Sequence, residues 1–132
     1  MALELEFRRI SLQPGCLGNE RMRVGADGAL DYSQNLAECV PGQQWNSQWQ
    51  HLGQLGADEL SRLSGAVLDS GLLELEQISV DESVEGGSRE ELDLRFGDDS
   101  WHFVVQNTRP PAFVSVTRVI RQIVADRQFR PN

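Results

Sequence analysis

A chain of 132 residues with 39% apolar and 24% charged side chains can bury one core and keep a wetted surface. That excludes wholesale disorder and leaves no length for a second domain with its own core. The formal net charge of −8 repels phosphate backbones, so nucleic acid is excluded as a ligand for the surface as a whole. No apolar run approaches the ~20 residues that span a bilayer, so no membrane role is expected. Met1 to Ile10 alternates leucines with glutamates and lacks the basic start and apolar run of an export signal. A cytoplasmic protein is therefore expected, with Cys16 and Cys39 reduced and neither a disulfide nor a zinc site.

Leu3, Leu5 and Phe7 keep the period of two of a half-buried strand. Ile10 and Leu12 resume it on the opposite parity, which predicts a bulge at Arg8-Arg9. Gln13-Pro14-Gly15 reads as a turn. Met22 and Val24 then alternate with Arg21 and Arg23 up to Gly25-Ala26-Asp27-Gly28, a hairpin signal, and Leu30 and Tyr32 continue on the return strand. Over residues 33–56 the pattern is lost. A connection of that length predicts a functional loop or a short helix within it, and Trp45, Trp49 and Leu52 recur at helical spacing.

Asp58 and Glu59 suit the first turn of a helix, Leu60, Leu63, Val67 and Leu68 form an apolar face, and Gly71 is placed to end it. The spacing predicts a helix over about 57–70. Leu73 and Leu75, alternating with glutamates, predict a fourth strand, and Asp81 to Ser88 an exposed acidic loop. Leu92, Leu94 and Phe96 mark a fifth strand and Trp101 to Gln106 a sixth. Pro110-Pro111 opens a last helix with a stripe of Phe113, Val116, Ile120, Ile123 and Val124. The expected fold is one α+β domain over residues 1–132. It has a mostly antiparallel sheet in the order β-β-β-α-β-β-β-α and two helices packed on one face.

No catalytic group, metal site or cofactor motif emerges. His51 and His102 stand without a partner spacing, which favours structural roles for both. Cys16, in a glycine-flanked bend, lacks an identifiable base and reads as a packing residue. Ten carboxylates between Glu74 and Asp99 face only Arg89 and Arg95, whereas the last third sets five arginines against Asp126. Asp81, Glu82 and Glu85 lack the spacing of a calcium loop; they form either a solvated surface or an electrostatic docking site for a basic partner. Trp45 and Trp49 either cover the core edge as a helical turn or serve as binding anchors.

The layout resembles the emfourin family, small bacterial cytoplasmic inhibitors of thermolysin-like metalloproteases. A first strand leads to a Gly-Gly-Phe-x-Gly bend there, approximated by Gly15-Cys16-Leu17-Gly18; a leucine-spaced helix and short apolar strand match Leu60 to Leu75, and a strand pair and helix match Leu92 to Val124. Cys16 stands at the second glycine and Leu17 at the phenylalanine, and the tryptophan-containing insert is longer than the family's connection. The resemblance implies that Gly15, Leu17 and Gly18 lie near an inhibitory surface.

The leading expectation is a small acidic protein-binding module that inhibits or neutralises a partner protein, such as a protease or a basic toxin. Two alternatives stand beside it. One is a ligand-binding protein or enzyme with a sheet–helix pocket lined by Trp101, His102 or Tyr32. The other is a structural subunit that self-associates through an open strand edge.

Overall fold

The computed structural model describes residues 2–128. In chain order the strands are β1 (Leu3–Ser11), β2 (Glu20–Val24), β3 (Ala29–Gln34), β4 (Gln50–Gln54), β5 (Ile78–Val80), β6 (Ser88–Phe96) and β7 (Asp99–Gln106). Helix α1 (Ala57–Asp69) follows β4, and α2 (Pro111–Gln128) follows β7. The sheet has the order β4-β3-β2-β1-β6-β7-β5, antiparallel except for β5 beside β7. The α+β expectation therefore holds. In detail four strands, rather than three, precede the first helix.

β1 sits at the centre because both of its edges find antiparallel partners. It pairs unbroken with β2 from Leu5↔Val24 to Arg9↔Glu20, and with β6 from Leu3↔Phe96 to Ser11↔Ser88. The bulge expected at Arg8-Arg9 is absent. The parity switch has another cause: Leu3, Leu5 and Phe7 point to the helix-covered face, while Ile10 points to the other face and lies beside Cys16, Asn19 and Gln44. A change of covered face reads, along the sequence, like an inserted residue.

The β2–β3 hairpin closes through Gly28, whose φ of 82° an L side chain would resist. Helix α1 opens on Gly56, whose backbone N–H donates to Glu59 (3.0 Å), and stops before Gly71, at φ 88°. Its buried residues are Leu63 and Val67; Leu68, expected on the same face, is exposed. The strand expected at Leu73 and Leu75 is also corrected. Leu72–Glu74 makes one 3-10 turn that buries Leu72 against the core, and the strand begins three residues after Leu75, at Ile78. Helix α2 buries Phe113, Val116, Ile120, Ile123 and Val124, as its stripe predicts, together with Thr117.

Both helices join one core with the inward residues of the sheet, including Phe7, Met22, Leu30, Leu92 and Phe103. Arg127 near the end of α2 ties this layer together: it donates to Glu59 of α1 and to the carbonyl of Gln54 in β4 (2.8 Å). No helix of the described residues is long and apolar enough to cross a membrane.

Candidate functional site

The strand directions gather four connections at one end of the sheet. β1, β3, β5 and β7 finish there and β2, β4 and β6 start there, so residues 12–19, 35–49, 81–87 and 107–110 share that end. Gly15, Leu17, Gly18, Trp45, Trp49, Asp81, Glu82 and Glu85, scattered over seventy positions of sequence, all lie on these connections.

Cys16 and Cys39 are joined there by a disulfide, with Cα atoms 5.6 Å apart. This overturns the expectation of two reduced thiols. The separation of 23 residues gave no sign of it, because the return of β3 beside β2 is what brings the two loops together. Disulfides persist in oxidising compartments. The bend itself is unusual backbone: Gly15, Cys16 and Gly18 have φ of 98°, 55° and 81°. The cysteine occupies a conformation L residues rarely take, held by the disulfide and by hydrogen bonds to Asn35.

Asn35 is the hub of this end. Its side chain, 1% exposed, donates from Nδ2 to the carbonyls of Cys16 (3.0 Å) and Gln44 (2.7 Å). Its Oδ1 accepts from the Asn46 N–H and the Ser47 hydroxyl, both at 3.0 Å. The neighbouring Asn19, also buried, accepts from Ser11 N–H (2.7 Å) and donates to the Gln44 carbonyl (3.1 Å). Two buried amides thus supply the polar partners that an irregular segment over a sheet face requires.

The insert contains no helix. Residues 45–49 have no regular secondary structure but alternate in burial as a strand would, with Trp45, Ser47 and Trp49 half-buried and Asn46 and Gln48 exposed, and the chain then becomes β4. A four-residue spacing places side chains on one face of a helix and of a strand alike. The two indoles pack on Arg21, whose guanidinium lies 4.5 Å from each ring centroid, and Trp49 also covers Arg23 at 4.0 Å. Arg21 completes the clamp by donating to the Ser47 carbonyl (3.1 Å). Burial, followed by the nearby charges of Arg23 and Arg8, lowers its pKa against the opposing pull of Glu6. The tryptophans therefore fasten the insert to the uncovered face of the sheet.

The loops present apolar side chains outward among polar ones. Among the described residues eight large hydrophobics are exposed, and Leu12, Leu17, Leu36, Val40 and Val84 of these lie on the gathered connections. Leu17 and Val40, at 56% and 61% exposure, adjoin the disulfide's two cysteines in sequence, and Leu36, at 83%, lies three residues before Cys39. The acidic loop stands beside them, anchored by Leu12 N–H to the Gly87 carbonyl (3.0 Å) and by Asn107 to the Gly86 carbonyl (3.0 Å). Asp81 accepts from the Ser83 hydroxyl and N–H, which lowers its pKa, while Glu82 and Glu85 are exposed.

The uncovered face of the sheet carries a row of charge, His51, Asp31, Arg23, Glu6, Asp93 and His102, one from each of six adjacent strands. His51 pairs with Asp31 (3.0 Å) and His102 with Asp93, while Arg23 and Arg8 bind the same two carboxylates. Burial opposes ionisation of both aspartates, but the histidine and arginine contacts outweigh it and hold their pKa values below the ordinary range. An open concavity of about 560 Å³ on this face is bordered by Asp93, Ser100, Trp101 and His102. Tyr32 is on the opposite side, inside the core, donating to Glu20 (2.8 Å), so Tyr32 and His102 do not share a pocket. Among the described residues no hydroxyl or thiol is hydrogen-bonded to either imidazole, and no three His, Cys, Asp or Glu are grouped to hold a metal ion.

No protein-family model matches the chain, and no curated protein matches it.

Proposed function

We propose that this chain is a protein-binding module that docks through the loop end of its sheet and inhibits or neutralises its partner. One observation carries the reading: Leu17, Leu36 and Val40 stand exposed on two loops locked by the Cys16–Cys39 bond and the Asn35 hydrogen bonds. Exposed aliphatic side chains are costly unless a partner covers them, and a rigid platform lowers the entropy lost on binding. Asp81, Glu82 and Glu85 at the same end steer a basic partner surface toward this apolar tip. The resemblance to the emfourin family names a thermolysin-like metalloprotease as the first target to assay, and the same physics suits a basic toxin.

The test uses three proteins: the native chain, a Leu36→Asp/Val40→Asp variant, and a variant with Asp81, Glu82 and Glu85 reversed to lysine. The native chain should inhibit the protease or retain a stoichiometric partner. The first variant should lose that activity at every salt concentration, and the second should lose mainly its salt dependence. Equal activity of all three removes the loop end as the docking surface. Thiol titration of protein prepared from its own cells settles the compartment, since a cytoplasmic protein should show two free thiols and one from an oxidising compartment none.

A further inference from the structure

On the helix-covered side, next to the loop end, β1, β6 and the first turns of α2 enclose a concavity of about 330 Å³. Four arginines line it, Arg9 of β1, Arg109 of the β7–α2 connection, and Arg118 and Arg121 of α2, against one carboxylate, Glu90. Arg121 is bound to Glu20 (2.7 Å). The side chains of Arg9, Arg109 and Arg118 have no hydrogen bond or ion pair among the described residues.

This is not for want of carboxylates. The chain has 20 acidic residues and 12 basic ones, and Arg8, Arg23, Arg89, Arg95 and Arg127 each bind at least one acid. Even Glu90, directly opposite Arg9 in the β1–β6 ladder, forms no ion pair with it. An acidic protein that lines one hollow with three exposed arginines outside any ion pair among the described residues has a surplus of positive charge there, opposite in sign to the whole. Thr108 and Ser88 add hydroxyl donors at the rim, and Phe113 and Val114 provide an apolar wall. The positive end of the α2 dipole adds to the same field.

We propose that this hollow binds a small oxyanion carrying two or more charges, a phosphate ester or a di- or tricarboxylate. Guanidinium forks match the paired oxygens of both groups and hold them bidentately. The volume lies at the lower end of small-ligand sites, ~300 to 1,000 Å³, so the ligand is compact. The site is separate from the docking tip and stands or falls without it.

The probes are tripolyphosphate, inorganic phosphate and citrate, titrated calorimetrically into the disulfide-bonded protein at ionic strength matched with sodium chloride. Saturable binding is expected, about 10- to 100-fold weaker in Arg118→Gln and in Arg109→Gln, as befits loss of a charge-assisted hydrogen-bonding pair. Arg62→Gln makes the same change in net charge outside the hollow, where Arg62 donates to Gln122, and should bind like the native protein. Binding of the phosphates without citrate, or the reverse, assigns the ligand class. Absence of saturation by all three anions, or equal weakening in Arg62→Gln, overturns the proposal.

Discussion

Replacing Asn35 with alanine tests whether the loop end is a built platform. The substitution removes four hydrogen bonds to nitrogen or oxygen partners, two donated to the carbonyls of Cys16 and Gln44 and two accepted from Asn46 and Ser47, along with weaker contacts of Nδ2 to the sulfurs of Cys16 and Cys39. At a net ~1 kcal/mol each the loss is about 4 kcal/mol. Water admitted by a loosened insert can rescue Asn46 and Ser47, which lie near the surface, and the Cys16 and Gln44 carbonyls keep Asn19 as a donor, so about 2 kcal/mol, the net value of the two donated bonds alone, is the lower figure. Urea unfolding of both proteins with the disulfide intact measures the difference. Hydrogen exchange at Asn46, whose N–H is bonded to Asn35 Oδ1, and at Gly18, whose N–H is bonded to the Asn35 carbonyl (3.1 Å), locates it. The Asn46 amide should lose protection far more than Gly18, because alanine keeps the backbone acceptor. A loss below about 1 kcal/mol with Asn46 still protected would refute the hub, since it is less than the two donated bonds alone should contribute.

Reduction of Cys16–Cys39 should lower stability by about 3 kcal/mol, the loop-closure value for a separation of 23 residues, as read from urea midpoints with and without reductant. Leu63→Ala should cost about 2 to 5 kcal/mol and Leu68→Ala under about 0.5, because the first is fully buried and the second 55% exposed; thermal melts of the two variants decide it. Acid should destabilise the fold through Asp31 and Asp93. Their folded pKa values lie below the unfolded value of ~3.9, so their contribution is complete above that pH and is lost as pH falls through the folded values. The double variant Asp31→Asn/Asp93→Asn should therefore show a flatter acid limb in a stability-against-pH curve, and an unchanged limb would remove these pairs as its source.

Where one face of an element meets the core and the other meets water, periodicity along the chain carries the structure. Leu3, Leu5 and Phe7, the α2 stripe from Phe113 to Val124, and the Gly28 hairpin were all legible for that reason. Short segments lacked such a pattern. Gln50–Gln54 became a strand because β3 offered it a free edge, and Leu72 buried itself in a 3-10 turn where alternation with glutamates had suggested a strand. At the parity switch before Ile10 the periodicity was real but its cause was tertiary: a second covering segment on the opposite face.

The docking end shows the same division. Candidate residues such as Leu17, Trp45 and Asp81 could be picked one by one from local chemistry, whereas Asn35, Leu36 and Val40 carried no signal in an insert without period. Sequence by itself determined the composition, the polarity of the charge and the faces of the long elements, because these depend on neighbours three or four positions away at most. Only the tertiary structure decided which loops share an end, that Cys16 meets Cys39, that Trp45 and Trp49 clamp Arg21, and that Arg9, Arg109 and Arg118 face one hollow. Those meetings are set by strand order and register, and a sheet pairs residues far apart in sequence through backbone groups that are the same at nearly every position.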